Sequence, residues 1–291
     1  MRVRAMPSGS ALLVVEGSTD RSVLLPFASE STIIVVSRGK DRLVPAYQQL
    51  APGLRHSVLF VLDCDGNTPG HLKGKEDLVL STNRDLESDL IFELDVLQRV
   101  VLEILADRVE SLASARAVTD QLVAAAADYA TSLGIVQDSA RCLKLPVRVV
   151  DALTGRKRRL RPSDLVGINK ALSGDTLVDC YEVAKDAAAV LGWSASQYRR
   201  VEGAIQRTEQ NECTRHRSVG CLTCRRMRHC NGHSLVDALA RALFVVEGHR
   251  MPAEELDRLL RVASTGAVVD NWAVLARVKR WQQARGIAAL S

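Results

Sequence analysis

The sequence predicts an α/β fold: a parallel sheet flanked by helices, followed by a mainly helical C-terminal region that carries a Cys-rich metal-binding insert. Three observations lead there. Two uninterrupted apolar runs near the start, Leu12-Leu13-Val14-Val15 and Val58-Leu59-Phe60-Val61-Leu62, read as buried parallel strands. Each stops at a carboxylate followed closely by glycine: Glu16-Gly17 in the first case, Asp63-Cys64-Asp65-Gly66 in the second. Four of the seven cysteines then fall within residues 213–230.

The carboxylates point to chemistry. Ligands of open α/β sheets bind outside the carboxyl ends of the strands. Side chains at i and i+2 of a strand share a side, so Asp63 and Asp65 converge there, and Gly66 permits a sharp exit turn. Carboxylate oxygens are what a hard divalent cation takes. An ordinary capped βα loop remains the plain alternative for Asp63-x-Asp65 alone. The intervening Cys64 alternates to the other side of the strand and belongs to the core.

Glu-Gly after a first strand and Asp-x-Asp-Gly after a later one resemble the Toprim domain of topoisomerases, bacterial primases and several nucleases. Val15-Glu16-Gly17-Ser18-Thr19-Asp20 is similar to the first motif of its nuclease branches. Leu78-Val79-Leu80-Ser81-Thr82-Asn83-Arg84-Asp85-Leu86-Glu87-Ser88-Asp89 has the strand-then-acidic form of one subgroup, which includes the effector subunit of PARIS-type anti-phage systems. Asn231-Gly232-His233-Ser234-Leu235 resembles a Gly-His signature of that subgroup. The likeness covers residues 10–92 well and is patchy from there to about 245.

The resemblance implies a Mg²⁺-dependent (or Mn²⁺-dependent) nuclease acting on tRNA, other RNA or DNA in anti-phage defence. It assigns Glu16 as metal ligand or general acid/base and Asp63 and Asp65 as Mg²⁺ ligands. Glu87 and Asp89 become auxiliary acids, catalytic and metal-binding respectively. Helix-start acidity, which suits the positive end of a helix dipole, explains those last two equally well. The expected partners are nucleic acid and an ATPase, with a homodimer admitted and no membrane.

Basic residues frame this module. Arg38 and Lys40 follow the apolar run Thr32–Ser37, and Gly155-Arg156-Lys157-Arg158-Arg159 is part of the densest positive run. We read Arg38, Lys40, Arg156, Lys157, Arg158 and Arg159 as nucleic-acid contacts, a solvated loop being the alternative for the second group. Overall charge adds little: +5 in 291 residues, with 25% charged, is close to ordinary usage.

The expected divisions are a catalytic domain over 1–92, a helical region with the basic loop over 93–210, a Cys/His-rich segment over 211–233 and C-terminal helices over 234–291. Gly134 reads as a helix stop. Ser163 and Ser194 read as helix caps. Gly248 reads as the stop of a helix starting near Leu235, so the second Val-Val-Glu-Gly string at 245–248 is coincidental. Trp272 and Trp281 read as packing anchors. No apolar run reaches the roughly 18 residues of a membrane span, and no secretory signal is evident, so a cytoplasmic protein is expected. No Walker A string occurs, which excludes intrinsic ATP use of that type. Only four tyrosines occur, none in a recognisable topoisomerase setting.

Cys213, Cys221, Cys224 and Cys230 follow Cys-x7-Cys-x2-Cys-x5-Cys, with His216, His229 and His233 among them. In a reducing compartment such a cluster is more often a metal site than a disulfide framework. Four thiolates suit structural Zn²⁺ or an iron–sulfur cluster. A second class of function follows: a non-catalytic nucleic-acid-binding or regulatory module acting through this segment. Elemental analysis of purified protein is expected to find about one Zn²⁺ per chain, as one tetrahedral site requires; brown colour with iron and sulfide identifies the cluster instead.

Overall fold

The computed structural model describes residues 10–64, 70–94, 96–109, 111–151, 154–173, 178–210, 212–213, 218–219, 222–264, 272–287 and 290. The chain divides into two compact units, Met1–Leu97 with Leu260–Ser291, and Gln98–Leu259. The expected C-terminal segment 234–291 is thus shared between them.

The first unit is built on a four-stranded parallel sheet in the order β2-β1-β3-β4. The strands are β1 (Ala11–Val15), β2 (Thr32–Val36), β3 (Val58–Leu62) and β4 (Leu78–Leu80). Every residue of β1, β3 and β4 is buried, which is why these runs lack polar alternation. Register aligns their ends: Val15 lies opposite Val36 and Val61, and Leu62 opposite Leu80. Glu16 and Asp63 therefore leave the sheet side by side at its carboxyl edge.

Alternation sorts the core. Leu12, Val14, Phe60, Leu62, Leu78 and Leu80 pack on one face with Leu43 and Tyr47 of α2 (Lys40–Gln49), and Cys64 packs partly buried against them as expected. Tyr47 meets Phe60 edge to face at 5.2 Å and donates from its hydroxyl to Asp77 at 2.9 Å. Helix α1 (Ser18–Leu24) lies against β1 and β2, with α3 (Leu86–Phe92) beside it.

The chain's end returns to this unit. Helix α4 (Val96–Ile104) leaves it, and α11 (Ala253–Ala263) leads back to α12 (Ala273–Arg285), which packs against β4. Trp272 is fully buried and meets Phe27 edge to face at 6.2 Å, and Trp281 is also buried, so both act as anchors. Leu290 forms an isolated antiparallel bridge with Ala28.

The second unit surrounds α5 (Leu112–Cys142), 31 residues long. Around it lie α6 (Ile168–Ser173), α7 (Cys180–Leu191), α8 (Ala195–Gln210), α9 (Leu222–His229) and α10 (Gly232–Glu247). A two-stranded antiparallel ribbon, β5 (Arg148–Val150) with β6 (Lys157–Arg159), interrupts the helices. Within the Cys-rich segment, β7 (Glu212–Cys213) pairs antiparallel with β8 (Ser218–Val219) ahead of α9.

Local chemistry explains several boundaries. Ser194 Oγ accepts from Gln197 N at 3.3 Å while Gln197 Oε1 accepts from Ser194 N at 2.8 Å, capping α8 reciprocally. Asn231 caps α10, accepting from Ser234 N at 3.3 Å, and Gly248 ends it at φ +68°. Ser163 does not cap a helix: its N–H and hydroxyl donate to Asp237 of α10 at 2.7 and 3.1 Å.

Gly134 is a correction. The expected helix stop lies inside α5, which continues to Cys142. The glycine is there for the neighbour: a Cβ at 134 would sit 1.8 Å from the His229 carbonyl oxygen. Helix α9 thus rests backbone to backbone on α5, helped by Arg226 to Asp128 at 2.7 Å and His229 Nδ1 to Asp138 at 2.9 Å. No described helix is long and apolar enough to cross a membrane.

Gly134→Ala is expected to destabilise the protein by about 1–3 kcal/mol or more, the usual penalty for overfilling a packed site. Chemical denaturation followed by circular dichroism measures it; unchanged stability would show that α9 can move off α5 freely.

Candidate functional site

The site starts at the end of β1. The chain turns through Gly17, the extended residue that precedes α1, and the Gly17 N–H donates to Asp20 Oδ2 at 2.7 Å. Asp20 is thereby held in the first turn of α1, buried beside Glu16. Glu16 reaches across to the neighbouring strand, where its Oε1 accepts the Asp63 backbone N–H at 3.0 Å.

The loop after β2 wraps the same point. Ser37 donates its N–H to Val15 O at 2.8 Å, and Gly39 donates its N–H to Glu16 O at 2.9 Å. That path needs Arg38 at φ +67° and Gly39 at φ +116°, a left-handed pair of which only the second is glycine. The result brings Lys40, at the start of α2, into the site. Its ammonium donates to Asp63 O at 2.9 Å and lies 3.6 Å from Glu16 Oε1. Arg38, by contrast, is exposed.

The third contribution comes from the β4–α3 connection. Asp85 caps α3, its Oδ1 accepting from Ser88 N at 2.9 Å and Ser88 Oγ at 2.6 Å. Glu87 is buried in the first turn, where the dipole favours an anion. Asp89 faces the loop: Oδ1 accepts from Asn83 N and Nδ2 at 2.7 and 2.9 Å. Its Oδ2 accepts from Thr82 N at 3.0 Å and Trp272 Nε1 at 3.3 Å. Ser81 closes the edge, its hydroxyl oxygen accepting the Cys64 N–H at 2.8 Å and donating to Asn83 O at 2.8 Å.

Electrostatics tie these parts together. Burial holds the Asp63 carboxyl well above the ordinary range, and the negative charges of Asp20, Asp85, Glu16 and Glu87 raise it further. Asp89 is pushed up to about 7, chiefly by burial, with its backbone donors pulling the other way. Crowded carboxylates of this kind are relieved either by protons or by a cation. The donor set is all oxygen, which suits Mg²⁺ or Mn²⁺ rather than a thiolate-seeking metal. Among the described residues, no three Asp, Glu, His or Cys side chains stand close enough to hold one ion.

Of the residues expected here, Glu16 and Asp63 are joined directly, and Glu87 shares their electrostatic cluster. Asp89 is turned to the loop and Trp272. Asp65 lies outside the described residues. So does Cys221, while Cys213 and Cys224 are described in backbone only; Cys230 is buried just after α9. In the basic run, Arg156, Lys157 and Arg159 are exposed, whereas Arg158 pairs with Asp164 at 2.6 and 2.7 Å and with Asp151 at 3.3 Å. Sequence reasoning did not single out Asp20 or Asp85. Each stands in the first turn or at the cap of a helix leaving the sheet edge, the signal that would have found them.

No known family profile matches the sequence, and no curated protein is significantly similar to it.

The raised carboxyls set a pH dependence. A carboxyl titrating higher in the folded than the unfolded chain leaves the folded state with more bound protons between the two values. Stability from Asp89 is therefore full below about 4 and is lost as pH rises through about 7, and the raised Asp63 carboxyl acts in the same direction. Metal-free protein is expected to lose unfolding free energy across that window. Asp63→Asn is expected to flatten the loss and raise the melting temperature at pH 8; a pH series of melting curves in chelator checks both.

Proposed function

We propose that this chain is a Mg²⁺-dependent Toprim-type endonuclease that hydrolyses nucleic-acid phosphodiesters. One observation carries the reading. Glu16 and Asp63, at the ends of adjacent parallel strands, are linked by a hydrogen bond within a cluster that also holds Asp20, Asp85, Glu87 and Lys40. A structural role alone does not call for so many carboxylates around one buried aspartate, because each raises the cost of ionising the others.

In this reading Glu16, Asp63 and Asp65 hold the cation, with Glu87 beside them. Mg²⁺ bound there supplies Lewis-acid stabilisation of the phosphoryl oxygens. Glu16 takes a proton from the attacking water, with the Lys40 ammonium 3.6 Å from its carboxylate. Lys40 also offers positive charge to the phosphate in the transition state. Asp85 and Asp89 position the β4–α3 connection, and Asp20 fixes the turn after Glu16. By the same resemblance the setting is anti-phage defence, with tRNA among the substrates and an ATPase as partner.

A second reading rests on the spacing of Cys213, Cys221, Cys224 and Cys230. It is the non-catalytic nucleic-acid-binding or regulatory module, acting through the Cys-rich segment with Zn²⁺ or an iron–sulfur cluster.

Incubation with tRNA and with plasmid DNA in Mg²⁺ or Mn²⁺ separates them. Cleavage is expected to require metal and to fall by about 10²–10⁴-fold in Glu16→Gln, the range associated with a lost general base. Asp63→Asn is expected to be at least as impaired and to lose the thermal stabilisation by Mg²⁺ seen in the wild type. Folded protein that neither cleaves nor gains stability with Mg²⁺ would favour the binding module.

A further inference from the structure

The β5–β6 ribbon sorts its charges by face. Register places Arg148 opposite Arg159, Val149 opposite Arg158 and Val150 opposite Lys157. Alternation then puts Arg148, Val150, Lys157 and Arg159 on one face, and all four are exposed. Arg156 is exposed at the turn. Among the described residues none of Arg148, Arg156, Lys157 and Arg159 has a carboxylate within ion-pair distance. The acids are spent on the other face, where Asp151 and Asp164 grip Arg158.

The ribbon is also held firmly. Its turn is closed by Asp151 N donating to Arg156 O at 2.9 Å and Gly155 N donating to Asp151 O at 2.8 Å. At its root the Trp193 indole donates to Pro146 O at 3.0 Å, and Gln137 Nε2 donates to Leu160 O at 2.8 Å. Leu160 is buried. Three cations, Arg148, Lys157 and Arg159, thus share one face of a fixed frame, with no ion pair to any of them among the described residues. Solvated lysines and arginines on an ordinary surface are interspersed with carboxylates instead.

We propose that this ribbon docks on the sugar–phosphate backbone of a base-paired nucleic-acid segment. The cations supply phosphate contacts, which position a protein without reading sequence. A two-stranded ribbon has the dimensions to follow a duplex groove. Single strands are held differently, by aromatic side chains on which unpaired bases stack. Residues 148–161 contain no aromatic residue. The choice of duplex over single strand comes from that absence together with the charge. The proposal deepens the nuclease reading, on which the role of the bound duplex as substrate rests.

The test is fluorescence anisotropy of the full-length protein in EDTA, so that no hydrolysis occurs. Labelled duplex DNA, duplex RNA and a single strand of the same length are titrated over a salt series. The variant carries Arg148→Ser, Lys157→Ser and Arg159→Ser. Its affinity for duplex is expected to fall by about tenfold or more at low salt, with the salt slope reduced by roughly 0.9 for each cation removed. Its melting temperature is expected to match the wild type, because the three side chains are exposed; should it not, the single variants Lys157→Ser and Arg159→Ser carry the same comparison. An unchanged slope, single-strand binding as tight as duplex binding, or equal loss of binding to polyglutamate overturns the proposal. Whether DNA or RNA duplex binds better names the nucleic acid. Absence of cleavage in Mg²⁺ with duplex binding intact defeats the nuclease reading alone; cleavage with no ribbon-dependent binding defeats this proposal alone.

Discussion

The hydrogen bond from the Asp63 N–H to Glu16 Oε1 organises the carboxyl edge of the sheet. A buried parallel strand ends with its backbone groups searching for partners, and here a side chain from the adjacent strand answers one of them. Lys40, from the loop after β2, brings its ammonium to 3.6 Å from the same Glu16 oxygen. The left-handed turn at Arg38 and Gly39, the cap at Asp85 and the Asp89–Trp272 contact all bring further groups to this edge.

Such an edge costs stability. Burial and like charge both oppose ionisation of Asp63, so the folded state carries a penalty at neutral pH that a simple apolar loop would not. The neighbouring carboxylates, by contrast, have donors of their own. Asp20 and Asp85 are satisfied by backbone and hydroxyl donors close at hand, and Asp89 by four donors from its own loop and Trp272.

Much of this was legible in the sequence, for identifiable reasons. Strands buried on both faces announce themselves as apolar runs, and the carboxylates ending them stand out because nothing polar precedes them. Helix ends at Ser194 and Gly248 follow from capping chemistry that acts within a few residues. Gly134 misled because its reason is not local: the His229 carbonyl it accommodates lies on another helix. Asp89 was ambiguous for the same cause, its indole partner Trp272 coming from the far end of the chain. The basic run could be read for charge but not for orientation; only the β5–β6 register separates Arg158, bound to Asp164, from its exposed neighbours.

The return of residues 260–291 to the sheet unit has a bearing on when the protein becomes competent during its synthesis. Domains generally fold as units while the chain emerges from the ribosome, N-terminal parts first. Here the four strands are all translated early, yet the tryptophan that supports Asp89 and the helix that packs against β4 arrive only after the whole helical unit has been made. A truncated or stalled chain carries the acidic motifs without the support that orders them. Full assembly of the acidic edge therefore waits until residues 272–285 have been made.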